Sequence, residues 1–282
     1  MVRLFVDGLT VIDFSCLHPE RGLLGESWLL DVELEGSLDD QGMVLDFGEI
    51  KRYVKQTVDE GFDHRLLVPI RHAATEFQEK DQRCDVSFRC SSGREIRHSG
   101  PASATCLIDS DEITPESLAR AIAERLQPGL PDNVARVTIS LRTEARDGAC
   151  FHVSHGLKHH KGNCQRIAHG HRSFIEIFQN GKRAPALEAE WARLWRDIYI
   201  GTRADLAEKS EKNGTVYCRF SYRSGQGRFE LELPAERCYL VDCDSTVENL
   251  ARHVLERLRA GHPNADFKVR LFEGVGKGAI AE

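Results

Sequence analysis

Apolar and acidic residues alternate through Trp28-Leu29-Leu30-Asp31-Val32-Glu33-Leu34-Glu35-Gly36. Side chains two apart on an extended chain share a face, so this stretch predicts a half-buried strand. A second candidate strand, Ser173 to Gly181, also ends in glycine. The spacing then becomes helical. Phe47, Ile50, Val54 and Val58 fall on one face of a pattern that runs out near Gly61. Trp191, Leu194, Trp195 and Ile198 form an equivalent stripe ending before Gly201. Apolar stripes of this width predict helices packed on a core. Two hairpins follow: Asp85 to Cys90, Ser91-Ser92-Gly93, then Arg94 to Arg97, and Val216 to Arg223, Ser224-Gly225-Gln226-Gly227, then Arg228 to Leu233.

These elements recur in the same order, and the chain reads as two copies. Asp7-Gly8 to Ser15 sits opposite Asp147-Gly148 to His155. Thr114-Pro115-Glu116-Ser117-Leu118-Ala119-Arg120 matches Thr246-Val247-Glu248-Asn249-Leu250-Ala251-Arg252. Each of these opens a helix with a threonine N-cap and an early glutamate. A last strand follows each helix, Val134 to Leu141 or Phe267 to Leu271, and then Glu144 or Glu273. The copies divide as residues 1–146 and 147–282. Each has the order β-β-α-β-β-α-β, with the hairpin joining or extending the main sheet. The fold class expected is α+β: two antiparallel sheets, each with helices on one face. Open sheet edges must pair with something, which favours a homo-oligomer built through those edges.

Composition narrows the function. Apolar residues make up 41% and charged residues 29% of the 282 positions, enough for a folded core. The net charge of −6 comes without a basic block, which argues against nucleic acid as a partner. No apolar run approaches the ~20 residues of a membrane span. The nine cysteines are odd in number, with no Cys-x-x-Cys pair and no signal peptide, as expected of reduced thiols in a cytoplasmic protein.

Half of the 12 histidines lie between Phe151 and His171. His169-Gly170-His171 on a strand directs two imidazoles to one face. His155 on a neighbouring strand adds a third. Three imidazoles with an open fourth position describe a catalytic zinc site rather than a structural one. Cys164 lies in the connection between them, whereas His159 and His160 read as solvated loop residues. A histidine-rich connection is also a common polar surface, and spacing alone leaves that reading open.

In combination these motifs resemble the 6-pyruvoyltetrahydropterin and 6-carboxytetrahydropterin synthases of the tunnelling fold (T-fold). The second copy keeps Phe151-x-x-x-His155, Cys164, His169-Gly170-His171, Thr246-x-Glu248-Asn249 and the late Glu273. The first keeps Gly42-Met43-Val44-x-Asp46-Phe47 and Asp63-His64 but has Ser15 and Gly25-Glu26-Ser27-Trp28 near the metal positions. Gly201 to Asp205 stands in the second copy where the Asp-His pair is expected. The resemblance implies tandem T-fold domains with one composite site per chain, its first-half residues coming from the same chain or from a neighbour. His155, His169 and His171 would hold Zn2+, and Cys164, Asp63 and His64 would move protons.

The substrate implied is 7,8-dihydroneopterin triphosphate. The product is 6-carboxytetrahydropterin, on the route to queuosine and other deazapurines, or alternatively 6-pyruvoyltetrahydropterin. Glu273 or Glu144 would anchor the pterin's amino-pyrimidine edge, with a further contact from Thr246 or a purely capping role for it. A zinc-containing pterin-binding scaffold without turnover is the remaining reading.

Overall fold

The computed structural model describes residues 1–282, all of the chain. In the first half, β1 (Val2–His18) and β2 (Gly22–Gly36) form a long antiparallel pair followed by α1 (Phe47–Gly61). Then come β3 (Leu66–Pro69), β4 (Thr75–Lys80), β5 (Arg83–Arg89), β6 (Glu95–Pro101), β7 (Thr105–Ile108), α2 (Pro115–Leu126) and β8 (Val134–Arg142). The second half repeats the scheme. It comprises β9 (Ala149–His155), β10 (His169–Gln179), the short β11 (Lys182–Arg183), α3 (Pro185–Leu194), β12 (Ile198–Thr202) and β13 (Leu206–Lys212). It closes with β14 (Thr215–Ser224), β15 (Gly227–Pro234), β16 (Cys238–Val241), α4 (Val247–Gly261), β17 (Phe267–Phe272) and β18 (Gly278–Ala281).

Helix ends follow the expected chemistry. Asp46 caps α1 by accepting from the Gly48 and Glu49 N–H groups. Thr114 caps α2 in a reciprocal box with Ser117, and Thr246 accepts from Asn249 N at the start of α4. Each cap satisfies donors that a helix terminus leaves free. The second apolar stripe is shorter than its spacing suggests. α3 stops at Leu194, which is exposed, and Ile198 already belongs to β12.

Three sheets result, not two. One runs β7-β3-β1-β2-β8 and another β16-β12-β9-β10-β17-β18, with β11 beside β10. Both are mixed, because β3 and β7, like β12 and β16, join in parallel. The hairpins leave these sheets altogether. They build a third, β13-β14-β15-β6-β5-β4, in which β15 of the second half pairs antiparallel with β6 of the first. The alternation within each hairpin is unchanged by that choice, so it was invisible to local pattern.

Each of the first two sheets carries its helices on one face over its own core, one around Phe14, Trp28, Val54 and Ile122, the other around Phe151, Trp195, Val254 and Val269. A third core, including Phe88, Phe220, Phe229, Leu66 and Tyr199, lies under the shared sheet and draws on both halves. The helix-free faces of the first two sheets meet where Gly25 faces Gly170. A Cβ on Gly25 would lie 1.9 Å from the Val153 carbonyl oxygen, and one on Gly170 2.6 Å from Gly25 Cα. Beside them the Ser15 and Ser154 hydroxyls share a 2.7 Å hydrogen bond.

Strand pairing corrects the alignment of the two halves by one residue. Cys16 pairs with Leu24 and Phe14 with Glu26, as His155 pairs with His169 and Val153 with His171. Ser15 lies opposite Leu66 in β3, and Ser154 opposite Tyr199 in β12. Cys16, not Ser15, therefore stands where His155 does, and Leu24-Gly25-Glu26 matches His169-Gly170-His171. The Asp63-His64 slot is filled in the second half by Arg196-Asp197, not by Gly201 to Asp205. His64 and Asp197 even share the left-handed backbone, with φ of 53° and 57°. Leu141 pairs with Leu30 and Leu271 with Ile175, so Glu273 corresponds to Thr143 rather than Glu144. Matching the Asp-Gly turns hid this, and a one-residue slip moves every side chain to the other face.

Two stability tests follow. Gly25→Ala should cost about 3 kcal/mol or more, or abolish folding, because backbone on the facing sheet cannot yield. Gly261→Ala, where nothing lies within 4 Å of the added carbon, should be nearly neutral in the same denaturant titration. His98 is buried with Nδ1 unpartnered, and desolvation lowers its pKa to about 4. The neutral form is thus favoured by folding. That stability is intact above pH 6.5 and is lost as pH falls through 4, by about 3 kcal/mol. His98→Leu should flatten this part of the pH–stability curve.

Candidate metal and proton-transfer site

His155, His169 and His171 project from one face of the β9–β10 pair, where β9 ends and β10 begins. All three are buried, and their ligand atoms lie within 4.8 Å of one another. The outer nitrogens of two of them are held. His155 Nδ1 donates to the Ser245 carbonyl at 3.0 Å and His169 Nδ1 to the Arg166 carbonyl at 3.0 Å. A carbonyl can only accept, so the lone pair of each ring is on Nε2. Burial, reinforced by neighbouring imidazoles, lowers His155 to about 3 and His169 well below its ordinary value. Both are therefore neutral bases, the form that binds metal. The Nε2 atoms of His155 and His171 are buried without hydrogen-bond partners. A cation is what such a donor set fits.

The first half approaches the third imidazole. Asp13 Oδ1 lies 3.2 Å from His171 Nδ1, close enough for charge attraction, although neither ring nitrogen of His171 has a hydrogen-bond partner. Ser27 Oγ donates to the same carboxylate at 2.5 Å, and Lys277 Nζ donates at 2.9 Å. Burial would raise the Asp13 pKa, but His171, Lys277 and Ser27 outweigh it and hold the group well below the usual carboxylate range.

Asp63 and His64 come from the turn between α1 and β3. The Asp13 backbone locks that turn, since Asp13 N donates to Asp63 Oδ1 at 2.9 Å and His64 N donates to Asp13 O at 2.6 Å. His64 Nδ1 donates to Asp63 Oδ2, and its ring stacks on His169 with centroids 5.2 Å apart. His64, Cys164 and His169 form a second set of ligand atoms within 4.8 Å of one another. Burial opposes a charge on His64. Hydrogen bonds to Asp63 and Cys164 outweigh it and raise its pKa to about 10. The Cys164 connection is fastened by groups that spacing could not reveal. Arg166 Nη1 donates to the Asp63 and His64 carbonyls at 3.3 Å, and Gln226 of the β14–β15 turn bonds Asn163, Gln165 and Arg166.

Of the remaining candidates, Glu273 is at this site, with Oε1 4.0 Å from His155 Nε2. Glu144 is at a different one, where its carbonyl accepts from Arg172. Thr246 caps α4, His159 pairs with Asp244 on the surface, and His160 Nδ1 accepts from Gly162 N. Cys164, Asp63, His64 and Glu273 are each partly exposed, so they rim the opening to the buried imidazoles. Asp13, Lys277, Ser245 and Arg166 were missed. Only Asp13 carried a signal, as a charged residue between the apolar Val11-Ile12 and Phe14.

The family model for 6-pyruvoyl tetrahydropterin synthase matches residues 14–150, just under half of the chain. The match covers Asp63 and His64 and ends before the three histidines. A protein of Pyrococcus abyssi provisionally named 6-carboxy-5,6,7,8-tetrahydropterin synthase is 25% identical over 129 residues, 46% of this chain and 73% of the relative. Its Pyrococcus horikoshii counterpart, named likewise, is 26% identical over 125 residues, 44% and 71% of the two chains. The solved 6-pyruvoyl tetrahydropterin synthase of Plasmodium falciparum aligns with 50% of this chain and 90% of its own, at 18% identity and a TM-score of 0.41.

If the imidazole trio holds a divalent cation, His169→Ala should reduce affinity at least hundredfold and Asp13→Asn by about 10–100-fold. Competition against a chromogenic chelator measures both. Unchanged affinity in His169→Ala would remove the metal assignment.

Proposed function

We propose, from the match of residues 14–150 to the 6-pyruvoyl tetrahydropterin synthase family model, that the protein is a zinc-dependent pterin synthase with one composite site per chain. Its substrate in this reading is 7,8-dihydroneopterin triphosphate, and its products are 6-carboxytetrahydropterin, acetaldehyde and triphosphate. The observation that carries the reading is the stacking of His64, from the half without the three histidines, on His169 from the half that has them. The names of the Pyrococcus relatives support the carboxy product. The family description keeps 6-pyruvoyltetrahydropterin as the alternative product.

His155, His169 and His171 would hold the zinc, which supplies a Lewis acid for the substrate's side-chain hydroxyls. Cys164 faces the same opening and would take a proton as general base. His64, held by Asp63 and adjacent to Cys164, is favoured in its charged form and would deliver a second proton, its orientation fixed by the carboxylate. Glu273, partly exposed on the rim, would accept hydrogen bonds from the pterin's amino-pyrimidine edge. Arg166 ties the cysteine connection to the Asp63-His64 turn, so it would keep general base and imidazole in register. Copies of the chain would associate through the free edges β4 and β13 of the shared sheet.

Incubation with 7,8-dihydroneopterin triphosphate, followed by assay of acetaldehyde and pterin products, tests the reading. Cys164→Ala should lower kcat by about 10²–10⁴-fold while leaving bound zinc unchanged. Asp63→Asn and His64→Ala should each lower turnover although neither residue belongs to the metal trio. A pyruvoyl product without acetaldehyde would select the alternative chemistry. Tight pterin binding without any product would select a binding scaffold.

A further inference from the structure

The halves are related by strand register, so the site described above has a positional counterpart. Four residues of that counterpart, Arg21, His152, Arg172 and Arg196, line a cleft of about 760 Å³ together with Arg193. The counterpart cannot hold a metal in the same way, because Cys16, Leu24 and Glu26 stand where the three imidazoles are. Its polar groups are exchanged rather than lost. The Asp13–His171 pair is mirrored by His152 and Glu26, with His152 Nδ1 3.3 Å from Glu26 Oε1. Arg172 occupies the position of Ser27, and Arg196-Asp197 that of Asp63-His64. Arg21 lies in the short β1–β2 connection that matches the Cys164 connection.

The cleft keeps positive charge by another means. Its lining has five arginines against Asp147 and Glu188. Arg21 is neutralised by a two-point contact with Asp197, and Arg183 by one with Glu188. Arg172, Arg193 and Arg196 make no ion pair. Arg172 Nη1 reaches only the Glu144 carbonyl, at 3.5 Å, with its guanidinium over the Phe174 ring. Arg193 and Arg196 are exposed on the last turn of α3 and just beyond it. Three uncompensated guanidiniums lining one concave surface, with Ala149, Ala189 and Ala192 leaving room between them, suit a planar-fork contact to phosphate oxygens.

We propose that this cleft is a second, metal-independent binding site for a phosphate-bearing polyanion, either free triphosphate or a triphosphate ester. The assignment does not rest on the pterin reaction; it requires only the charges on this surface.

Titration calorimetry of the metal-loaded full chain with inorganic triphosphate, and separately with GTP as an ester, tests it. Saturable binding is expected for at least one, weakening with added salt. Which of the two binds more tightly identifies the source. The double variant Arg193→Gln/Arg196→Gln should weaken binding roughly ten- to hundredfold, with melting temperature and metal content unchanged because both side chains are exposed. Arg172→Gln should weaken it further, whereas Arg172→Lys, which keeps the charge but not the fork, should recover only part of the affinity. Binding should survive in His169→Ala and after chelation. Absence of saturable binding at millimolar ligand would overturn the proposal. So would affinity insensitive to the arginine variants, or affinity that disappears with the metal.

Discussion

The backbone contact between Gly25 and Gly170 governs this molecule. Two sheets approach on their helix-free faces closely enough that neither glycine has space for a Cβ. That approach carries Asp13, Ser27, Asp63 and His64 of the first half to the histidine strands of the second. Each half buries its own helical core, yet neither assembles the site. The hydroxyl pair Ser15–Ser154 and the bond from Arg172 N to Ser27 Oγ lie on the same seam. They provide polar partners where a buried meeting of two sheet faces would otherwise leave donors unsatisfied.

Electrostatics divides the seam into two unlike openings. On one side three buried imidazoles converge, with Asp13 behind one of them and a charged His64 at the rim. Such a set is costly without a cation, because orphaned Nε2 atoms and a depressed carboxylate are all sustained in a dry environment. On the other side the metal positions hold a thiol, a leucine and a carboxylic acid, and arginines supply the charge. Burial outweighs the pull of nearby arginines and raises Glu26 to about 7 and Cys16 beyond the ordinary thiol range. The duplication has thus separated two electrostatic solutions on one scaffold. In a chain with identical halves both openings would carry the same groups.

Much of the fold was legible because its signals are local. Threonine caps, helical stripes and alternating strands are written into consecutive residues, and α1, α2, α4 and both hairpins appear where those signals lie. The histidine trio was legible too, since His169 and His171 share a face by strand geometry alone. The alignment of the halves was not. Asp7-Gly8 and Asp147-Gly148 match as words, but β1 has an irregularity between Val6 and Thr10, so the turn does not set the register of the residues after it. The displacement left Ser15 opposite His155 on paper, whereas Cys16 is its counterpart in space. Hairpin destination was equally hidden, because a strand's alternation does not say which sheet it enters.

The sequence by itself determined which residues could bind metal or move protons, and in which half each stood. Side-chain chemistry and short-range periodicity travel with the chain and need no fold to be read. Tertiary structure alone decided that His64 meets His169 within one chain, that Asp13 backs His171, and that Glu273 rather than Glu144 reaches the imidazoles. These contacts join residues roughly a hundred or more positions apart. They depend on how closely two sheets approach and on the register at which they cross, and no local pattern encodes either quantity.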